Sequence, residues 1–158
     1  MHQRALRSPL VLMGFLALSF LVASSGIQFQ PGDWYVGLKK PSWTPPGAAF
    51  GPVWTILYIL MAISAWMVWK SSGMARAKGA LAMYLFQLLL NASWSLVFFG
   101  WHRMGLGFVN IVFLWLAIGG TAWLFWRHNH VATILLVPYL LWVGFAGVLN
   151  FTIWRLNA

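Results

Sequence analysis

The residues best placed to do chemistry in this chain are neutral and aromatic. Gln87, Asn91 and Trp94 recur at positions i, i+4 and i+7 of one apolar run, so they share a helix face. Two other runs carry rings at helical spacing, Trp54 and Tyr58 in one and Tyr139 and Trp142 in the other. Flat rings with few polar groups are typical of a site for a large apolar ligand. Amides and small residues also join membrane helices to one another, and the residues alone leave both interpretations open.

Acid–base and metal chemistry lack the residues they need. The chain has no Cys, its one acidic residue is Asp33, and its four histidines lie at the N-terminus or between apolar runs. Hydrolytic catalysis needs converging acids, bases and nucleophiles, and ion-coupled pumping needs ionisable groups inside the membrane. We therefore expect no metal site and no required cofactor. We also expect neither hydrolytic catalysis nor ion-coupled pumping. The histidines are His2, His102, His128 and His130.

The composition predicts an integral, multi-pass membrane protein. Of 158 residues, 61% are hydrophobic and 7% are charged, whereas a soluble domain carries about 25% charged residues. The net charge of +9 could suggest nucleic acid, but the cations are scattered along the ends of apolar runs rather than clustered. That distribution is typical of anchors facing lipid headgroups, so the expected partner is the bilayer and not a nucleic acid.

Five apolar runs predict an all-α bundle of five transmembrane helices in a single domain, residues 1–158. Each run is about 20 residues or longer, enough for a hydrocarbon core of about 30 Å. A short polar turn over 71–78 separates the second run from the third. The predicted helices cover about 9–28, 48–69, 79–99, 104–126 and 131–154.

The first run has an alternative interpretation, and the orientation follows from a cation count. With Arg4 and Arg7 before it and small residues at 23–26 after it, run 9–28 could be a cleaved signal peptide. If five helices cross the membrane, six cations fall on the N-terminal side and four on the other. The positive-inside rule then gives a slight preference for a cytoplasmic N-terminus.

The segment between the first two runs, residues 29–47, is called the first loop. Pro41, Pro45 and Pro46 exclude regular helix from its second half. Trp34, Tyr35 and Trp43 would be costly to leave in water. We therefore predict a folded cover over one end of the bundle.

Several motifs in order, spanning nearly the whole chain, resemble the translocator protein family (TspO/MBR). Its bacterial members are called tryptophan-rich sensory proteins, and its animal members peripheral benzodiazepine receptors. The motifs are Trp34-Tyr35, Lys40-Pro41-x-Trp43-x-Pro45-Pro46, Pro52-x-Trp54-Thr55-x-Leu57-Tyr58, Gln87-Leu88-x-Leu90-Asn91-x-x-Trp94 and Pro138-Tyr139-x-x-Trp142-x-x-Phe145-Ala146-x-x-Leu149-Asn150.

The resemblance implies five transmembrane helices with run 9–28 retained, a first loop closing a pocket, and a homodimer. It also implies a receptor or translocator for porphyrins (protoporphyrin IX and haem) and related apolar ligands such as sterols and isoquinoline carboxamides. Carried over to this chain, the family's ligand-binding positions are Trp34, Tyr35, Pro45, Trp54, Tyr58, Asn91, Trp94, Trp142, Ala146 and Leu149.

The resemblance leaves alternatives for the function. Trp54 and Trp142 match a pair linked in some bacterial members to light-dependent porphyrin breakdown, so a photochemical enzyme is one alternative. A regulatory or structural membrane partner without a small ligand is another. The animal sterol-recognition segment has a Tyr where this chain has Phe151, which lacks the hydroxyl, and such short sterol motifs are weak even when complete. This departure weakens the expectation of high-affinity sterol binding and leaves the sterol affinity open.

Overall fold

The computed structural model describes the backbone of residues 2–158 and the side chains from Ser8 onward. The predicted anchors Arg4 and Arg7 therefore lie outside the described side chains. Over this range the chain is helical, without a strand, and four helices are long and apolar enough to cross a membrane. The prediction of an all-α, multi-pass membrane bundle is confirmed. The helices are α1 (His2–Gln28), α2 (Asp33–Gly37), α3 (Gly47–Ser95), α4 (Met104–Trp126) and α5 (His130–Asn157), and a π-helical turn, Leu96–Gly100, extends α3.

Helix α3 folds back on itself at one residue. The polar turn predicted over 71–78 is helical on both sides of Gly73, which alone departs from helical geometry, with φ 74° and ψ 163°. Only glycine populates that region readily, so the reversal can occur within a single residue. Tyr58 hydrogen-bonds Asn91, 33 residues away, whereas a straight helix would separate them by about 50 Å. Residues 47–72 and 74–95 are therefore two antiparallel arms, the first and second arm of α3.

The bundle has two chemically different ends. At the turn end, Trp66 Nε1 donates to the carbonyl of Ser8 at 3.0 Å, and His128 Nδ1 lies 2.8 Å from Ser72 Oγ. This places the start of α1, the Gly73 reversal and the α4–α5 connection together. The opposite end, the loop end, carries the first loop, the 101–103 connection and the C-terminus of α5.

The core lies between the two arms of α3, α4 and α5, with α1 packed on α3. Tyr84 of the second arm is fully buried, its hydroxyl lies 3.0 Å from Ser19 Oγ of α1, and its ring meets Phe15 edge-on at 6.0 Å. Helix α5 starts at His130 because Asn129 Oδ1 accepts from the backbone N–H of Ala132 at 3.0 Å. Tyr84 thus fixes the second arm of α3 against α1, and Asn129 fixes where α5 begins.

Candidate functional site

A continuous chain of hydrogen bonds crosses the middle of the bundle. Tyr58 donates to Asn91 Oδ1 at 2.6 Å, Asn91 Nδ2 donates to Tyr139 at 2.9 Å, and Tyr139 donates to Gln87 Oε1 at 2.8 Å. Gln87 Nε2 then lies 3.9 Å from Met61 Sδ. We call Tyr58, Gln87, Asn91 and Tyr139 the central network. All four side chains are buried, so their polar groups satisfy one another and not a ligand.

A continuous surface of rings runs from the central network toward the loop end, between the first arm of α3 and α5. Phe50, Trp54 and Tyr58 are four residues apart and share a face. Trp54 lies 5.6 Å from Tyr58 and 6.2 Å from Tyr139, and Phe50 meets Trp142 edge-on at 5.7 Å. Phe145 adds a ring 5.5 Å from Trp142. We call Phe50, Trp54, Trp142 and Phe145 the ring face.

The indole of Trp142 on the ring face has an unsatisfied donor. Its Nε1 is buried and finds no hydrogen-bond partner among the side chains and backbone that the structure describes. A buried unpaired polar group costs about 1–3 kcal/mol, so it is a position where an incoming acceptor would gain affinity. Asn110 Oδ1 on α4 is the other such atom in the described part of the chain, but its amide Nδ2 is bonded to Ser93 at 2.7 Å.

Beside the ring face, the first loop packs on a second group of rings. Phe98, in the π-helical turn, is buried and stacks on Trp94 at 5.2 Å, and Leu149 and Ile153 of α5 pack against it. From the first loop, Trp34 meets Phe98 edge-on with ring centroids 5.8 Å apart, and Tyr35 meets Phe99 at 5.4 Å. Helix α2 therefore rests on aromatic side chains of the π-helical turn that extends α3.

Trp94 is held by a hydrogen bond that fixes the junction of α3, α4 and α5. Its Nε1 donates to Asn150 Oδ1 at 3.1 Å, and Asn150 Nδ2 donates to the carbonyl of Met104 at 3.0 Å. A Cβ on Gly107 would lie 3.2 Å from Asn150 Oδ1, so glycine lets α4 approach this amide. The indole N–H of Trp94 is thus engaged within the protein, unlike that of Trp142.

The rest of the first loop is attached by a small number of contacts. The Asn157 side chain bonds the backbone N–H and carbonyl of Lys39, each at 2.9 Å, and Trp43 meets Phe145 at 5.8 Å. Trp34 stacks on His102 at 4.3 Å.

Burial raises the pKa of the Tyr35 phenol above its ordinary value, because the charged phenolate would lose contact with water where Tyr35 packs against the bundle. The cover predicted from the sequence is therefore a folded segment.

Two open surface cavities lie away from the ring face. One, of about 420 Å³, is lined by Trp66, Lys70 and Asn129 at the turn end. The other, of about 440 Å³, lies between the start of α4 and Trp154. On the ring face, Phe50 meets Trp142 and Trp43 of the first loop meets Phe145, so a large ligand there would have to displace side chains or the loop.

Comparison with known proteins places the chain in a family. The profile of the TspO/MBR family matches residues 9–155, which include α1 from residue 9 onward. The chain belongs to the TspO/MBR family. It is 45% identical over 138 residues to protein CrtK of Rhodobacter capsulatus, covering 85% of this chain and 84% of that protein. It is 40% identical over 143 residues to the tryptophan-rich sensory protein of Cereibacter sphaeroides (90% and 89% covered), and 38% identical over 150 residues to the translocator protein of Homo sapiens (92% and 89% covered).

The family assignment confirms the resemblance inferred from the motifs and supports a membrane receptor or sensor role. Within this TspO/MBR chain, the ten predicted ligand positions fall into different surroundings. Tyr58 and Asn91 belong to the central network, and Trp54 and Trp142 belong to the ring face, with Ala146 packed beside the core. Trp34, Tyr35, Trp94 and Leu149 surround Phe98, and Pro45 lies half-buried two residues before α3.

Sequence reasoning missed several ring residues that complete these surroundings. Phe50 continues the spacing of Trp54 and Tyr58 by one further helical turn, and that spacing could have identified it. Phe98 follows Trp94 by four residues and could have been found in the same way. His102 gave no such signal, because its stacking on Trp34 depends on a connection between helices. No cluster of three metal-ligating side chains occurs in the part of the chain that the structure describes.

Proposed function

We propose that this TspO/MBR protein is a membrane receptor for flat, apolar tetrapyrroles of the porphyrin type, such as protoporphyrin IX and haem. The single observation that carries the proposal is the buried, unpartnered indole N–H of Trp142, set among the rings of Phe50 and Phe145. Rings of this kind can stack on a macrocycle, and the N–H can donate to one of its carboxylates. Apolar molecules of similar shape would use the same face.

Binding requires the first loop to move. Trp43 covers Phe145, and the loop is fixed at Lys39 by one side chain, Asn157. Displacing Trp43 would open the ring face toward the loop end while the central network stays intact. Tyr58 and Asn91 would then support the floor of the site and would not be ligand donors, because both already bond within the protein.

The topology we propose has five membrane crossings. Each arm of α3 is long enough to cross, at about 1.5 Å per residue. The turn end carries Lys70, Arg76, Lys78 and Arg127 beside the start of α1, and we propose it as the cytoplasmic side, for which the positive-inside rule gives a slight preference. The contact between Ser19 and Tyr84 supports α1 as a retained helix, and the exposed apolar faces leave room for a homodimer.

A porphyrin titration of matched variants tests the proposal. Trp142→Phe keeps a ring but removes the free N–H, and it should weaken protoporphyrin IX binding about fivefold, corresponding to roughly 1 kcal/mol. Trp123→Phe is the control, because Trp123 is 60% exposed and faces Arg127 at the turn end. Affinity is read from the Soret band of the porphyrin in detergent. Equal affinities of the two variants, or unsaturable binding, would refute the site.

A second candidate function is light-dependent porphyrin breakdown. It is favoured by the position of Trp54, whose ring lies close to two tyrosines of the central network. An excited porphyrin could take one electron from Trp54 and pass it to dioxygen, which gives superoxide, a neutral porphyrin and a Trp54 radical cation. The radical cation would then take one electron from the macrocycle, so that the porphyrin is oxidised, dioxygen is reduced and the indole is restored. Under illumination, Trp54→Phe should slow the loss of Soret absorbance severalfold relative to Trp123→Phe. If both variants bleach porphyrin at the rate of free porphyrin in detergent, the protein is not a photochemical enzyme.

A further inference from the structure

A groove on the outside of the bundle, at the loop end, combines a cation with an apolar channel. It lies between the start of α4 and the end of α5 and has a volume of about 440 Å³. Its lining begins at His102 and Arg103, continues along Leu106 and Val109, and is closed on one side by Trp154. Leu106 is 56% exposed and Val109 is 49% exposed, so this part of the groove faces the hydrocarbon of the membrane.

The backbone at the head of the groove is firmly placed. His102 adopts φ 55°, a left-handed conformation that is uncommon for residues other than glycine. Its ring stacks on Trp34, which holds it there. The backbone N–H of Arg103 donates to Val97 at 3.1 Å, and its carbonyl accepts from Gly107 at 2.8 Å. The exposed guanidinium therefore projects from a fixed position at the membrane boundary.

The guanidinium of Arg103 is exposed and can bind a negative partner from outside the chain. Asp33 is the one acidic residue among 158, against ten Lys and Arg. No ion pair forms among the side chains described from Ser8 to Ala158, so Asp33 does not neutralise Arg103. Phosphate groups of lipids are the negative charges available at this depth of the membrane, and arginine binds them through several N–H donors at once.

The wall of the groove is shaped by a close contact between α4 and α5. A Cβ on Gly105 would lie 3.1 Å from the indole of Trp154, so the absence of a side chain lets the indole lie flat against α4. Phe108 and Phe151 meet at 5.0 Å, and Trp154 lies 6.2 Å and 6.1 Å from them. Tryptophan prefers this boundary region of the membrane, where its ring can lie along a lipid chain.

We propose that this groove binds one phospholipid with an anionic headgroup. The phosphate lies against Arg103, and the first part of one acyl chain follows Leu106 and Val109 beside Trp154. The remainder of the lipid stays in the bilayer, since the groove holds only a fraction of such a molecule. The site is separate from the ring face, because it opens sideways to the membrane and not beneath the first loop.

The test uses the protein labelled with 5-fluorotryptophan in zwitterionic detergent micelles. Trp154 is assigned with Trp154→Phe, and Trp115, in the middle of α4, is the internal reference. Phosphatidylglycerol should shift the Trp154 fluorine signal saturably, whereas phosphatidylcholine should shift it at least fivefold more weakly. Arg103→Gln should raise the phosphatidylglycerol concentration at half-saturation about five- to tenfold. Arg127→Gln removes the same charge at the turn end, where the guanidinium rests on Trp123, and should leave it unchanged.

Two further measurements separate the possible failures. Gly105→Ala keeps every charge but places a Cβ 3.1 Å from the Trp154 indole, which must then shift by a few tenths of an ångström. This change in the wall of the groove should weaken phosphatidylglycerol binding, while the fold remains intact by circular dichroism. Inorganic phosphate at millimolar concentration should not compete. Equal losses for Arg103→Gln and Arg127→Gln, equal shifts with both lipids, or competition by free phosphate would each overturn the proposal.

Discussion

The central network, made of tyrosines and amides, and the ring face, made of tryptophans and phenylalanines, differ in how their polar atoms are paired. In the central network, side chains from both arms of α3 and from α5 are between 0% and 6% exposed, and every hydroxyl and amide is paired. On the ring face, Trp54 and Trp142 are half-buried, and the N–H of Trp142 is unpaired. The two regions are joined by Trp54, which contacts two tyrosines of the network.

This difference indicates which aromatic residues serve structure and which can serve a ligand. A paired hydroxyl in the middle of the bundle would have to break a bond with a neighbouring helix before it could bind anything. An unpaired N–H at the loop end loses nothing when a ligand accepts from it. The proposed receptor function therefore depends on a rigid centre and an adaptable loop end.

The largest effect on stability should come from breaking the central network. Asn91→Leu removes the acceptor of Tyr58 and a donor to Tyr139, leaving a buried hydroxyl unpaired, and should cost about 1–3 kcal/mol. Asn110→Leu is the matched control. It removes one bond to Ser93 but also a buried unpaired oxygen, so it should cost less than about 1 kcal/mol. Unfolding in mixed detergent measures both, and equal losses would contradict the distinction between the regions.

Much of the fold could be predicted from the sequence, because membrane spans leave a strong compositional signal. The run 104–126 coincides with α4, and the Trp-bearing first loop is folded as expected. The sequence predicts a polar turn over eight residues, Ser71 to Lys78, whereas the chain in the structure reverses at Gly73 alone. One residue in an unusual backbone conformation is not visible in hydropathy.

The site was harder to predict than the fold, since helical spacing identifies a face but not what opposes it. The spacing of Gln87, Asn91 and Trp94 correctly places them on one side of a helix. It could not show that Asn91 bonds two tyrosines, while Trp94 bonds Asn150. The unpaired state of Trp142 depends on the packing of Phe50 and Phe145, which is a tertiary property.

A pair of indole substitutions sharpens the comparison at an intermediate scale. Trp94→Phe loses the bond to Asn150 and should destabilise the protein by about 0.5–1 kcal/mol. Trp142→Phe loses no bond within the protein and should remain within about 0.5 kcal/mol of the parent. Ligand affinity should respond in the opposite order, with Trp142→Phe the more damaging. If Trp142→Phe unfolds as easily as Trp94→Phe, its N–H is already paired in the free protein, and the ring face is part of the structural core.

The smallest effect concerns the attachment of the first loop and depends on pH. Burial raises the pKa of Tyr35 above about 10, because the neutral phenol is the form that packs against Phe98 and Phe99. The pKa of Tyr35 is therefore higher in the folded protein than in the unfolded chain. The stability that Tyr35 contributes to the folded loop is fully present below about pH 10 and is lost as pH rises through the folded pKa. The difference in 295 nm absorbance between the parent and Tyr35→Phe should report the ionisation of Tyr35, with a midpoint above pH 10. Over the same pH range, proteolysis within residues 29–46 should become faster in the parent only. A midpoint at the ordinary tyrosine value would mean that the loop leaves Tyr35 in water, and the loop end would then be open even without a ligand.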